Sequence, residues 1–107
     1  MSNPMKEILD ERRRQILEEG WTTVHDDSHT VDEFADAAEC YMLAGDEFEP
    51  LSASWPWEAT SWKPKDRRRN IIRGGALWIA AMEYCFRRAE EASEELRYYD
   101  AVRNNRN

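Results

Sequence analysis

Residues 66–89 read DRRRNIIRGGALWIAAMEYCFRRA, and their spacing decides the fold. Ile71, Ile72, Gly75, Trp78, Ile79, Met82, Cys85, Phe86 and Ala89 recur with the 3.6-residue period of an amphipathic helix. Lys65 or Asp66 stands where the helix should open, and Leu96 and Tyr99 are placed to extend the stripe. Beyond Phe86 the residues turn strongly charged, so the helix is expected to project or fray there. Gly74 and Gly75 inside it each cost roughly 1 kcal/mol relative to alanine. A close helix crossing, or a ligand approaching the backbone, would compensate.

Upstream, residues 46–64 form a long loop with Pro50, Pro56 and Pro64, carrying Trp55, Trp57 and Trp62. A loop of this length in a compact domain is often functional, and its aromatics also suit a lid over the core. Before it, Thr30-x-x-Glu33 is a capping box opening a helix that Gly45 ends, with Phe34, Ala37, Ala38 and Tyr41 as its buried face. The first helix is expected from Pro4 to Glu19, capped by Ser2 or Asn3, with Met5, Ile8, Leu9 and Ile16 on one face. Gly20 suits a left-handed stop, Trp21 is expected to pack on Ile16, and residues 22–29 connect. There is no strand-like alternation and no internal repeat. The expected fold class is therefore all-α. It is a compact helical domain of three main helices, residues 1–100, with a long Trp/Pro-rich loop before the last, long helix and a disordered polar tail over 101–107.

The 107 residues fit one domain. Charged residues are 35% and the hydrophobic set 41%; five tryptophans, four tyrosines and three phenylalanines supply enough bulk to rule out a disordered chain. No apolar run approaches bilayer length and no signal-peptide core is present, so the protein is expected in the cytoplasm without a membrane partner. Cys40 and Cys85 sit in helical apolar patterns and read as two buried, reduced thiols. The net charge of −7 is segregated: no Lys or Arg lies between Arg14 and Lys63, while Lys63, Lys65, Arg67, Arg68, Arg69 and Arg73 follow closely. The overall acidity disfavours duplex nucleic acid, but the arginine cluster can hold a few phosphates.

Asp32, Glu33 and Asp36 start the second helix at spacings that share a face, so they either hold Mg²⁺ jointly or form a solvated acidic start that suits the helix dipole. His25-Asp26-Asp27-x-His29 offers metal-ligand types, or turn formers and caps. Arg67, Arg68, Arg69 and Arg73 open the last helix, where free backbone N–H groups and guanidinium forks together favour phosphate. The alternative is ion pairing with the acidic second helix, Asp36 or Glu39 with Arg69 or Arg73. Trp55, Trp57 and Trp62 are the aromatics best suited to stack on a base, or to pack over a small core. Catalytic triads, glycine-rich phosphate loops and zinc patterns are absent.

Glu11-Arg12-Arg13-Arg14-Gln15, Glu19-Gly20-Trp21-Thr22 and His25-Asp26-Asp27-x-His29 resemble a family of small bacteriophage and prophage proteins. So do Trp55-Pro56-Trp57, Trp62-Lys63-Pro64-x-Asp66-Arg67-Arg68 and Gly75-Ala76-Leu77; the likeness spans about Glu11 to Glu83 and implies a phage origin. The helix order and Asp32-Glu33-x-x-Asp36 are similar to all-α nucleoside triphosphate pyrophosphatases of the MazG type, which bind Mg²⁺ with an acidic E-E-x-x-E helix and a second acidic pair on the following helix. Where the second pair would fall, this chain reads Arg69-Asn70-x-x-Arg73. Residues 13–21 and 63–73 also resemble ryanodine-receptor repeat domains. These likenesses imply a nucleotide or nucleotide-derived ligand. The resulting expectation is a non-catalytic, counter-defence protein that sequesters such a ligand, with no cofactor. Arg67, Arg68, Arg69 and Arg73 would take phosphates, and Trp55, Trp57 or Trp62 a base. The alternatives are a Mg²⁺-dependent pyrophosphatase using Asp32, Glu33 and Asp36, and an acidic inhibitor that binds a host protein through residues 26–58. The long stripe on the last helix also predicts a homo-oligomer with residues 66–90 in the interface.

Overall fold

The computed structural model describes residues 3–19 and 31–105. Three α-helices account for most of them: α1, Pro4–Glu18; α2, Val31–Leu43; and α3, Arg67–Asn104. A single 3₁₀ turn, Ala59–Ser61, interrupts the loop between α2 and α3. The chain is all-α, as its periodicity requires. The expected Gly20 stop, the Trp21 contact, the 22–29 connection and the Thr30 cap lie outside the described residues.

Helix boundaries follow local chemistry. The Asn3 side chain accepts hydrogen bonds from the backbone N–H groups of Met5 and Lys6, with Pro4 in the first turn. Asp66 caps α3 by accepting from the Arg69 N–H at 2.9 Å. At the end of α2, the Arg67 guanidinium donates to the carbonyls of Met42 and Ala44. A cation there satisfies orphan carbonyls at the negative end of the helix dipole.

The core lies between α2 and α3. Phe34, Ala37, Ala38 and Tyr41 form the buried face of α2, as their spacing predicts, with Cys40 and Ala44 beside them. They meet Ile72, Ala76, Leu77, Ala80 and Ala81 of α3. The alanines let the backbones approach, and Gly74 sits where they are closest: a Cβ there would lie 2.9 Å from the Ala38 carbonyl oxygen and collide with Met42. The loop closes one end of this core with aromatic rings. Tyr41, Trp55 and Trp62 are mutually in contact, with Trp57 bridging Trp55 to Phe34 at centroid distances of 5.5 and 5.7 Å. Asn70, fully buried, ties the loop to α3 by accepting from the Lys65 N–H and donating to the carbonyls of Lys65 and Ala44.

α1 departs from its sequence expectation. Met5 and Leu9 are exposed, and the buried residues are Glu11, Arg12 and Gln15. The reason is the surface it meets: α1 lies across α3 at Gly75, against which Ile8 packs, and its polar face covers the arginine-rich first turns of α3. One further expectation is corrected: Cys85 is exposed. The last helix keeps helical backbone to Asn104, where i,i+3 pairs such as Arg103–Asp100 support it. This projecting arm raises the radius of gyration to 17.7 Å, against about 13 Å for a compact chain of this length. No helix among the described residues is long and apolar enough to cross a membrane.

Candidate functional site

The crossing of α1 over α3 leaves a cleft of about 320 Å³, lined by Glu11, Arg14, Gln15, Glu18 and Glu19 of α1 and its end, Tyr41 of α2, Ser61 and Lys63 of the loop, and Arg73 of α3. Its lining balances three carboxylates against three cations. Helical spacing explains the α1 contribution: residues 11, 14, 15 and 18 share one face. Residues 69 and 73 of α3 lie one turn apart; Arg69 bonds Glu11, and Arg73 adds its charge nearby.

Glu11 is the centre of this arrangement, with 1% of its surface exposed. It accepts both Arg14 Nε and a second Arg14 nitrogen at 2.8 Å, Gln15 Nε2 at 3.2 Å, and Arg69 across the helix crossing. Burial pushes its carboxyl up, but the hydrogen bonds from Arg14 and the charges of Arg14, Arg69 and Arg73 outweigh that, so its pKa is lowered overall. Arg14, which also pairs with Glu18 and Glu19, is held firmly protonated, chiefly by its bond to Glu11.

Against this satisfied network, two polar atoms in the cleft walls are buried without a hydrogen-bond partner: Gln15 Oε1, an acceptor, and Arg73 Nε, a donor. The Gln15 amide is oriented by its own N–H bond to Glu11, which fixes its oxygen on the other side. Arg73 spends one terminal nitrogen on the Lys63 carbonyl at 2.9 Å and lies 5.8 Å from the Tyr41 ring centroid. The Tyr41 hydroxyl accepts from the Lys63 N–H at 3.1 Å, leaving its own proton to donate. Lys63 is exposed at the rim. The cleft thus presents donors of three kinds and one buried acceptor.

The sequence-predicted arginines are not gathered on one anion site. Arg67 caps α2, Arg68 pairs with Glu7, Arg69 pairs with Glu11, and Arg73 alone of the four lines the cleft. The expected pairing of Asp36 or Glu39 with Arg69 or Arg73 is corrected: Asp36 and Glu39 lie away from α3, beside the loop, and α1 supplies the carboxylate instead. The tryptophans pack on one another, and their indole N–H groups are engaged: Trp55 to the Glu58 carbonyl, Trp57 to Glu33 and Trp62 to the Glu49 carbonyl. Asp32 is exposed, Glu33 receives the Trp57 bond, and Asp36 lines a second cleft of about 360 Å³ with Glu39, Cys40, Glu49 and Trp62. Among the described residues no group of three or more His, Cys, Asp or Glu is placed to hold a metal ion. His25 and His29 lie outside those residues. Glu11, Arg14, Gln15 and Tyr41 were not expected as site residues. The signal for them was the i,i+3 and i,i+4 run of charge along α1, facing arginines at the same spacing in α3. The chain matches no family model, no curated protein and no solved structure.

Proposed function

We propose that the protein binds, without cleaving it, a small polar ligand of nucleotide type in the α1–α3 cleft. The observation that carries this reading is the pair of partnerless buried atoms, one acceptor and one donor, in the walls of one cleft. Each such atom costs about 1–3 kcal/mol when left unmet. A ligand edge that offers an N–H beside a carbonyl, as the imide edge of a pyrimidine or the amide edge of a purine does, meets both. Lys63 at the rim is placed for an anionic group such as a phosphate. The Trp55, Trp57 and Trp62 cluster then acts as the wall that holds Tyr41 and Lys63 in position, not as a stacking surface. In a phage setting, sequestration of a nucleotide-derived signal is the role this binding would serve.

Calorimetric titration against nucleosides, linear nucleotides and cyclic nucleotides tests the reading. Arg73→Lys keeps the charge and loses the Nε donor. Gln15→Leu loses the acceptor. Arg73→Lys is expected to weaken binding at least about tenfold, the lower end of a lost charge-assisted contact, and Gln15→Leu at least about fivefold, the lower end for a buried neutral group left unmet, while Trp57→Phe leaves it within about threefold. An unmodified protein that binds none of the panel at millimolar concentration ends the nucleotide reading. Mg²⁺-dependent pyrophosphate release would instead favour the pyrophosphatase alternative with Asp32, Glu33 and Asp36.

A further inference from the structure

The second half of α3 carries an apolar seam that is left exposed among the described residues. Trp78, Met82, Cys85, Ala89, Ala92, Leu96 and Tyr99 follow one another at spacings of four and three residues, the seven-residue repeat of a coiled coil. Upstream the same repeat passes through Gly75, where Ile8 of α1 covers it. From Trp78 onward the cover thins and then ends: Trp78 is 41% exposed, Met82 49%, Leu96 65% and Tyr99 59%. From Cys85 to Asn105 every residue but Arg87 is exposed. Most of a helix's stability in a protein comes from packing an apolar face, and this arm packs its seam on none of the described residues.

We infer that the seam is an interface with a second copy of this chain, the two α3 helices running antiparallel about a twofold axis between Ala89 and Ala92. The flanking charges choose this arrangement. In the repeat, the residues that border the seam on one side are Ala81, Arg88, Glu95 and Val102; those on the other are Ile79, Phe86, Ser93 and Asp100. A parallel, in-register pair sets Glu95 of each chain against the second chain's Asp100, two like-charge contacts. An antiparallel pair shifted one repeat either way sets Arg88 against Arg88 or Glu95 against Glu95. The antiparallel pair centred between Ala89 and Ala92 sets Arg88 against Glu95 twice and Val102 against Ala81. It stacks Ala89 on Ala92 at the centre, Cys85 on Leu96 beside it, and Met82 on Tyr99 outside. The small residues at the middle permit a close approach of the two axes. The same patch then serves on both copies, as a twofold dimer requires.

Cysteine cross-linking tests both partner and direction. In the proposed pair the two Cys85 residues are eleven positions apart along the axis, roughly 16 Å at the helical rise, beyond disulfide reach. The unmodified protein should therefore be a dimer by light scattering at micromolar concentration yet form no Cys85–Cys85 link under mild oxidation. Leu96→Cys should link to Cys85 of the second chain, identified by mass spectrometry of the joined peptides. Charge reversal gives a second measurement that leaves the seam intact. Arg88→Glu and Glu95→Arg should each raise the dimer dissociation constant severalfold, and the double reversal should restore it. A monomer at high micromolar concentration overturns the proposal. So does an efficient Cys85–Cys85 link in the unmodified protein, which would mark a parallel pair.

Discussion

α3 packs against α2 along one side and against α1 along another, and the two contacts are built from different physics. The α2 side is dry: Phe34, Ala37, Ala38, Leu77 and Ala80 are almost fully buried, and Gly74 lets the two backbones touch. The α1 side is polar: Glu11, Arg12 and Gln15 are just as buried, held by Arg14, Arg69 and Glu83. A dry contact gains from every methylene removed from water. A buried ionic contact gains little over its desolvation cost and is easily outdone by apolar packing. Yet it is the ionic side that leaves polar atoms, Gln15 Oε1 and Arg73 Nε, unmatched beside a cleft. The α2 contact therefore supplies most of the stability, and the α1 contact supplies the chemistry.

The widest separation between the two sides should come from truncating one anchor in each. Phe34→Ala empties the dry contact and is expected to cost about 3–5 kcal/mol, enough to unfold much of the population of so small a domain. Glu11→Gln keeps shape but removes the charge that Arg14 and Arg69 share; since both arginines reach solvent, about 1–3 kcal/mol is expected. Denaturant melts of the two variants measure the gap. A Glu11→Gln loss equal to that of Phe34→Ala would break the comparison, because the ionic side would then hold the fold.

Acid separates the sides further. The Glu11 carboxyl is depressed below the ordinary glutamate value of about 4.3. Its contribution is therefore complete above that value and is lost as pH falls through the lower, folded one. Other carboxylates titrate in the same range, so the difference between unmodified protein and Glu11→Gln is the useful quantity. That difference should be constant from pH 7 to about 5 and shrink toward pH 3. Thermal melts across this range check it; a gap that widens on acidification would mean that Glu11 is stabilised as the neutral acid.

The dry side was legible in the sequence and the polar side was not, for one reason. Periodicity is read from apolar residues, and α2 buries the residues that repeat: Phe34, Ala37, Ala38 and Tyr41. α1 has an equally regular buried face, but it is written in Glu11, Arg12 and Gln15, while Met5 and Leu9 point outward. A charged face is ordinarily a solvated one, so nothing in α1 alone marks it as internal. The clue lay 58 residues away, in the arginines of α3 that α1 meets. The same distance hid the cleft. Arg73 is legible from its position at a helix start, whereas Gln15 and Tyr41 enter the site only once α1, α2 and the loop are folded around it. The aromatic loop was legible as a cluster, but the sequence left open whether its tryptophans face a ligand or one another.

The finest test uses two adjacent glycines. Gly74 faces the dry side and Gly75 the polar one, so replacing each by alanine asks how each contact gives way. Either substitution removes backbone freedom and should gain about 1 kcal/mol in helix propensity. At Gly74 the new methyl lands 2.9 Å from the Ala38 carbonyl oxygen, a backbone atom fixed by its own helix, so α2 must move as a body. Overpacking of that kind costs about 1–3 kcal/mol, and Gly74→Ala should lose about 1 kcal/mol net. At Gly75 the three nearest atoms to the methyl all belong to the Ile8 side chain, Cδ1 at 2.9 Å, Cγ1 at 3.1 Å and Cγ2 at 3.3 Å. Ile8 is half-buried at the edge of the crossing and meets the methyl with side-chain atoms alone, so a shift of a few tenths of an ångström by α1 relieves the contact, at a cost that the propensity gain offsets. Gly75→Ala should therefore leave the melting temperature unchanged or raise it slightly. If the two alanine variants lose stability equally, α1 is held as rigidly as α2. The cleft would then be a fixed cavity, unable to adjust around a ligand.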